Sequence, residues 1–439
     1  MRKPLYFRRQ SRIPKIKGIK PQGKPWTHIK RNDPAAADGV LKIIINEEMQ
    51  MHYSEFLTRR DFLRQIGIFA FGSAAVIGSN GLLTGCGTMP IDLVKDLQTV
   101  HYPRLSGQKI QSPEHYGQHG CMVGYYHGQK HVGRPIKIFP EVIERYIRII
   151  GKPPSVIYQP NPFYRNQPNV EFAKDQAITA AEHGVIPSLI LDIRMLYEAR
   201  RDHLLEDIIR GKADARLRRY AKESVTFGKQ YGGFFFRTLI EANGGTYPWR
   251  GQPGKVKDAW RHMWELFEVE GANEYVTWVW DQFYQGWYIS NRNIVKWSSW
   301  PDDYYPGDRY VDWIGMNVWN FGDSQSYSHW ESIDEALGFG YSNVRRNHPD
   351  KPVMLAEFGC HEQTGKAKWV KDVFKQIKEK YKGIKLIGWI DFPWYMPERN
   401  SPTKNIVNSS IDSSEASLRA FVEGVADPYY LGKVPYRSA

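Results

Sequence analysis

Between residues 122 and 392, eight short apolar runs recur with helix-patterned stretches between them, and this alternation restricts the fold more than any other feature. The runs are MVGYY (122–126), SVIYQ (155–159), PSLILD (187–192), FFFRTLIE (234–241), YVTWVW (275–280), VDWIGMNV (311–318), PVMLAEFG (352–359) and KLIGWIDF (385–392). Near-continuous apolar runs of this length belong to strands covered on both faces, as in parallel sheets. FPEVIERYIRII (139–150), HLLEDIIRG (203–211) and KWVKDVFKQIKEKY (368–381) read as helices. The last places Trp369, Val370, Val373, Phe374, Ile377 and Tyr381 on one face. No Pro/Gly/Ser-rich linker or internal repeat divides the region, so the pattern predicts an α/β fold, a single-domain (β/α)8 TIM barrel.

The segment before the barrel reads as an address. TRRDFLR (58–64) precedes the small-residue apolar run QIGIFAFGSAAVIG and then LLTGCG (82–87). Paired Arg59 and Arg60 resemble a twin-arginine export signal, and Leu83-Thr84-Gly85-Cys86 resembles a bacterial lipobox with Cys86 as the acylated anchor. The implied organisation is a misassigned or disordered leader at 1–48, a signal at 49–86, a tether at 87–115 and the catalytic-type domain at 116–439. Met49 or Met51 then serves as the true start. The expected location is periplasmic or at the cell surface, with the membrane reached through the lipid anchor.

Charge distribution agrees with that division. The formal net charge is +13, but residues 1–85 hold 15 Lys and Arg against 6 Asp and Glu, and the rest is close to balanced. The folded body is therefore not expected to bind nucleic acid. Besides Cys86 only Cys121 and Cys360 are present; they fall at opposite ends of the barrel, so no disulfide is expected. Without CxxC, HExxH or GxxxxGK motifs, no metal or organic cofactor is implied. The chain is expected to act as a monomer.

Sites on such barrels form at the C-terminal ends of the strands. The polar and aromatic residues there are Tyr126, Asp192, Glu241, Trp280, Asp281, Trp319, Glu357, Trp389 and Asp391. Two carboxylates, Glu241 ending the fourth strand and Glu357 ending the seventh, can face each other across the mouth. One neutral and one ionised carboxyl are what glycoside hydrolysis needs. The 15 Trp and 26 Tyr either pack a large barrel or line a cleft for flat sugar rings. Asp192 and Asp391 either meet sugar hydroxyls or cap the following turns, and Asn243 either shapes its turn or touches ligand.

EANGGTYPW (241–249), YVTWVW (275–280), YYPGDRYVDWIGMNVW (304–319) and KPVMLAEFG (351–359) together resemble glycoside hydrolase family 26. Those enzymes are retaining (β/α)8 hydrolases, chiefly β-mannanases with some xylanases and mixed-linkage glucanases. The resemblance implies Glu241 as acid/base, Glu357 as nucleophile, Trp249 and Trp389 lining the sugar site, and Arg237 supporting the carboxylates. It also implies retention, with the carboxyl groups ~5–5.5 Å apart. Two positions depart from the family. Ile240 stands where a His usually precedes the acid/base, and Trp319 stands where a Tyr usually bonds the nucleophile.

The resulting expectation is a lipid-anchored, endo-acting hydrolase of a β-linked polysaccharide, with β-1,4-mannan the first choice. The rivals are a non-catalytic glycan-binding lipoprotein on a degenerate barrel, and a xylanase, glucanase or transglycosylase using the same residues. Carboxyl groups more than ~10 Å apart, or a salt bridge occupying either Glu, would sink the enzyme reading in favour of the binding protein.

Overall fold

The computed structural model describes residues 109–127, 140–159, 174–196, 203–244, 247–284, 300–325, 328–395 and 406–432. Arg59, Arg60 and Cys86, and the signal they belong to, lie outside the described residues.

Eight parallel strands close into a barrel in chain order: β1 (Cys121–Tyr126), β2 (Val156–Tyr158), β3 (Ile186–Leu191), β4 (Phe234–Thr238), β5 (Val276–Phe283), β6 (Trp313–Asn320), β7 (Val353–Cys360) and β8 (Ile384–Ile390). β8 pairs back onto β1 over five residues, from Met122↔Leu386 to Tyr126↔Ile390, which completes the closure. This is the expected (β/α)8 TIM barrel. Each of the eight apolar runs contributes one staff, although the ends move.

Period-two alternation assigns the faces. Met122, Val156, Tyr158, Phe235, Val279, Trp313 and Met354 form the interior cluster. The alternate residues face the helices: Phe234 and Phe236 pack on Phe227, Tyr220 and Phe267. Among the described residues the covering helices are α1 (Pro140–Ile150), α2 (Lys174–Glu182), α3 (Leu204–Ile209), α4 (Asp214–Tyr231), α5 (Pro253–Val269), α6 (Ile333–Asn347), α7 (Lys366–Glu379) and α8 (Glu415–Ala426). α5 starts on Pro253, whose missing N–H costs nothing in a first turn. A Ser332/Glu335 capping box starts α6. α7 buries Trp369, Val370, Val373, Phe374 and Ile377, the stripe its periodicity predicts.

The N-terminal end of the barrel is plugged. Ile110 joins the interior cluster, its N–H donates to Thr277 Oγ1 at 2.7 Å, and its carbonyl accepts from the Trp313 indole at 2.9 Å. Cys121 and Cys360 are both buried free thiols.

Candidate active site

The polar residues of the barrel interior gather at the C-terminal mouth, on β4, β5, β6 and β7. Arg237, one residue before the end of β4, is 1% exposed. Its Nε donates to Asp281 Oδ2 on β5 at 2.6 Å, and its Nη2 donates to Glu357 Oε1 on β7 at 2.6 Å. The guanidinium also lies over the Tyr158 ring, 5.4 Å from its centroid. One buried cation thus ties two acidic strands to the floor of the mouth, a geometry suited to the planar fork of arginine.

Glu241 arrives from a different kind of backbone. β4 ends at Thr238, so FFFRTLIE is not one strand to its last residue. Leu239 and Glu241 adopt φ of 46° and 49°, the left-handed region that non-glycine residues avoid. Residues 239–243 therefore form a turn, with Leu239 and Ile240 packed into the outer core. Glu241 keeps part of its surface at the mouth. Its Oε1 accepts from Asn317 Nδ2 at 3.1 Å. Burial pushes its carboxyl far above the usual carboxylate range, and the Glu357 charge pushes the same way, against the Asn317 bond. Burial raises Asp281 as well, with the Arg237 charge pulling it down.

Glu357 lies within β7, which continues to Cys360, rather than at its end. A register shift between Met316 and Asn317 brings Asn317 opposite Glu357 on the inner face. The Glu357 side chain is 20% exposed, against 0% for Asp281. Glu241, Asn317, Glu357, Arg237 and Asp281 are therefore one contiguous network, with Glu241 and Glu357 the members open to the mouth.

A largely buried aromatic rim lies at the strand ends beside it. Trp319 and Phe321 stack with centroids 6.1 Å apart, and Tyr126 stacks on Phe392 at 5.4 Å. Phe283 and Ile390 complete this cluster. Gly359, paired with Trp319, leaves room for the indole; a Cβ there would sit 3.3 Å from the ring.

Several of the expected sugar contacts are buried and engaged by the protein itself. Trp280 and Trp389 do not line the mouth. Both point outward by strand alternation and are wholly buried: Trp280 packs on Trp260, and Trp389 packs on Phe358 and Phe421. Trp249, 1% exposed, stacks on Tyr247 and donates its indole N–H to the Ile240 carbonyl at 2.9 Å, so it braces the Glu241 turn from behind. Asn243 is buried and bonds both backbone groups of Phe283 rather than facing the mouth. Asp192 is tied to Arg194, accepting from its backbone N–H at 3.0 Å and its Nε at 2.8 Å. Asp391, 0% exposed, accepts from the Tyr125 hydroxyl, Arg145 Nη1 and the Ile411 N–H. Burial opposes its ionisation, but the His127 hydrogen bond and the Arg145 charge overcome this and hold it down at about 2.

Asn317 was missed by the strand-end criterion because β6 runs on to Asn320. Its signal was a polar residue on the inner face of an apolar strand, two residues before Trp319.

No family model matches the chain. Over 231 residues it is 31% identical to endoglucanase H of Acetivibrio thermocellus, covering 51% of this chain and 23% of that protein. The chain thus spans about a quarter of the length of the curated relative it matches. Solved structures similar to it include the GH26 domain of an endo-β-mannanase/endo-β-glucanase from Prevotella bryantii (14% identity, 71% of this chain and 90% of that one, TM-score 0.44). The Bacillus subtilis mannanase BCman (16%, 77% and 89%, 0.44) and the catalytic domain of a GH26 endo-β-1,4-mannanase from Bacillus sp. JAMB-750 (14%, 74% and 94%, 0.47) are further examples. About half of this chain is therefore similar in sequence to part of an endoglucanase.

Proposed function

We propose that the chain is a family 26-type glycoside hydrolase that cleaves a β-linked polysaccharide internally and with retention. The observation that carries this reading is the contrast between two neighbouring carboxyl groups. Glu241 is kept protonated by burial and by the charge of Glu357, whereas Glu357 rests against a guanidinium. Environments that differ in this way mark an acid and a nucleophile. In the first step Glu357 attacks the anomeric carbon while Glu241 gives its proton to the departing glycosidic oxygen. In the second, Glu241 takes a proton from water, and that water releases the sugar from Glu357. The stacked rim aromatics supply flat apolar surface for sugar rings.

The ion pair on Glu357 is of the kind expected to sink the enzyme reading. It engages one oxygen, Oε1, from beneath, and its guanidinium is shared with Asp281. Such a contact steadies a carboxylate without covering it, so it does not weigh against attack.

β-1,4-Mannan is the first substrate to assay. A β-glucan is the second, favoured by the sequence similarity to an endoglucanase. Reducing-end release from mannan, xylan, cellulose and mixed-linkage glucan, with the anomer identified by NMR, tests the reading. Glu241→Gln and Glu357→Gln should each lower the rate by about 10²–10⁴-fold. Unchanged rates in both variants remove these residues from the mechanism, and inactivity of the wild-type on every glycan favours the binding protein. Export and anchoring through Arg59, Arg60 and Cys86 are part of the proposal; Cys86→Ser should release the protein from the membrane fraction.

A further inference from the structure

The turn that carries Glu241 is clamped to the part of β5 that extends beyond β4. The Glu241 N–H donates to the Asp281 carbonyl at 2.9 Å. Gln282 Nε2 reaches the Leu239 carbonyl at 3.4 Å. At the far end, Asn243 Nδ2 donates to the Phe283 carbonyl at 2.8 Å, and Asn243 Oδ1 accepts from the Phe283 N–H at 3.0 Å. A side-chain amide sets an N–H donor beside a C=O acceptor, the same groups a peptide presents. Asn243 therefore meets both of the Phe283 groups that a longer β4 would have engaged through two successive peptides.

We infer that Asn243 is a positioning residue for proton donation, its amide standing in for the missing rung of the β4–β5 ladder and thereby holding Glu241 at the mouth beside Asn317. Two non-glycine residues in the left-handed region relax unless their surroundings fix them. The surroundings here are the β5 extension on one side and the Trp249 indole on the Ile240 carbonyl on the other. Asn243 grips both polar groups of one β5 residue while itself 0% exposed, so its loss frees the C-terminal end of the turn. Glu241 then swings toward water, its carboxyl is rehydrated, and its proton is held less tightly.

The inference rests on Glu241 being the acid, and the test separates the two ideas. Asn243→Ala and Asn243→Ser in the full chain are compared with the wild-type by thermal melting, by kcat and KM, and by NMR titration of the Glu241 carboxyl in protein carrying isotope-labelled glutamate. Glu241→Gln identifies the signal. Both variants should lower the Glu241 midpoint by about one pH unit and lower kcat by about tenfold or more with KM within twofold. The alkaline limb of the rate profile should move down with the midpoint. Ser leaves a polar group in the buried slot and is read alone where Ala does not fold. Folded variants with an unchanged midpoint and unchanged kcat overturn the inference, even where the melting temperature falls, because Asn243 is then merely structural. Should the wild-type hydrolyse no glycan, the enzyme reading fails while the NMR titration still decides whether Asn243 sets the state of Glu241.

Discussion

Arg237 reaches Glu357 on the far side of the barrel mouth at 2.6 Å while holding Asp281 with the same guanidinium. Among the described residues neither carboxylate pairs with another cation, so the arginine serves two roles that substitution can separate. Arg237→Met leaves Asp281 buried without its cation, and breaking such a pair costs about 3–5 kcal/mol. Arg237→Lys keeps the charge but cannot span both partners. It should melt closer to the wild-type and still lose kcat, measured on whichever glycan the wild-type cleaves. A lysine variant with full activity would show that charge alone suffices.

The Glu241 environment predicts an alkaline limit. With the carboxyl raised to about 8, the protonated acid persists through neutral pH and is lost above it. The rate should fall as pH rises through that value, and a rate still climbing there would contradict the assignment.

The same shift has a stability consequence of defined sign. A group whose folded pKa is raised favours the fold while protonated, in full below its unfolded pKa near 4.5, and that advantage is lost as pH rises through the folded value. Glu241→Gln has no such loss. It should melt higher than the wild-type at pH 8, by an amount on the order of 1–3 kcal/mol, and the difference should close in acid. Parallel melting curves at all pH values would refute it.

Asp391 predicts the opposite slope. Its folded pKa is depressed from 3.8 to about 2, so its stabilisation is present above 3.8 and disappears as pH falls through about 2. Asp391→Asn should cost about 2 kcal/mol at neutral pH, a penalty that shrinks in strong acid. Since Asp391 faces Tyr125, Arg145 and Ile411, KM should not change.

The two tryptophan classes separate by kinetics. Trp389→Ala removes outer core and should destabilise by about 3–5 kcal/mol with KM unaltered in whatever remains folded. Trp319→Ala opens the rim and should raise KM. Equal effects on KM would place both at the sugar site.

These contrasts show how far residue order alone could reach. Strands buried on both faces announce themselves as apolar runs, so all eight were legible. That same lack of polar alternation hid which residues face inward. In VTWVWDQF only Thr277 and Asp281 mark the inner face, and they place Trp280 outside. Leu239 and Ile240 look like strand, and no glycine betrays the left-handed φ at 239. Ile240, where the family pattern breaks, points into the outer core, so the departure leaves no hole at the mouth.

The floor of the mouth also sorts ligands by charge. Asp281 and Glu357 both pair with the guanidinium of Arg237, and Glu241 stands beside them on Asn317. Two carboxyl groups thus meet one guanidinium, and among the described residues no other cation pairs with them. At ~4 Å and an effective dielectric near 20, a second anion placed there is repelled by ~4 kcal/mol. A uronic acid ring would meet that repulsion before any of its hydroxyls was recognised, whereas a neutral hexose would settle over the same floor unopposed.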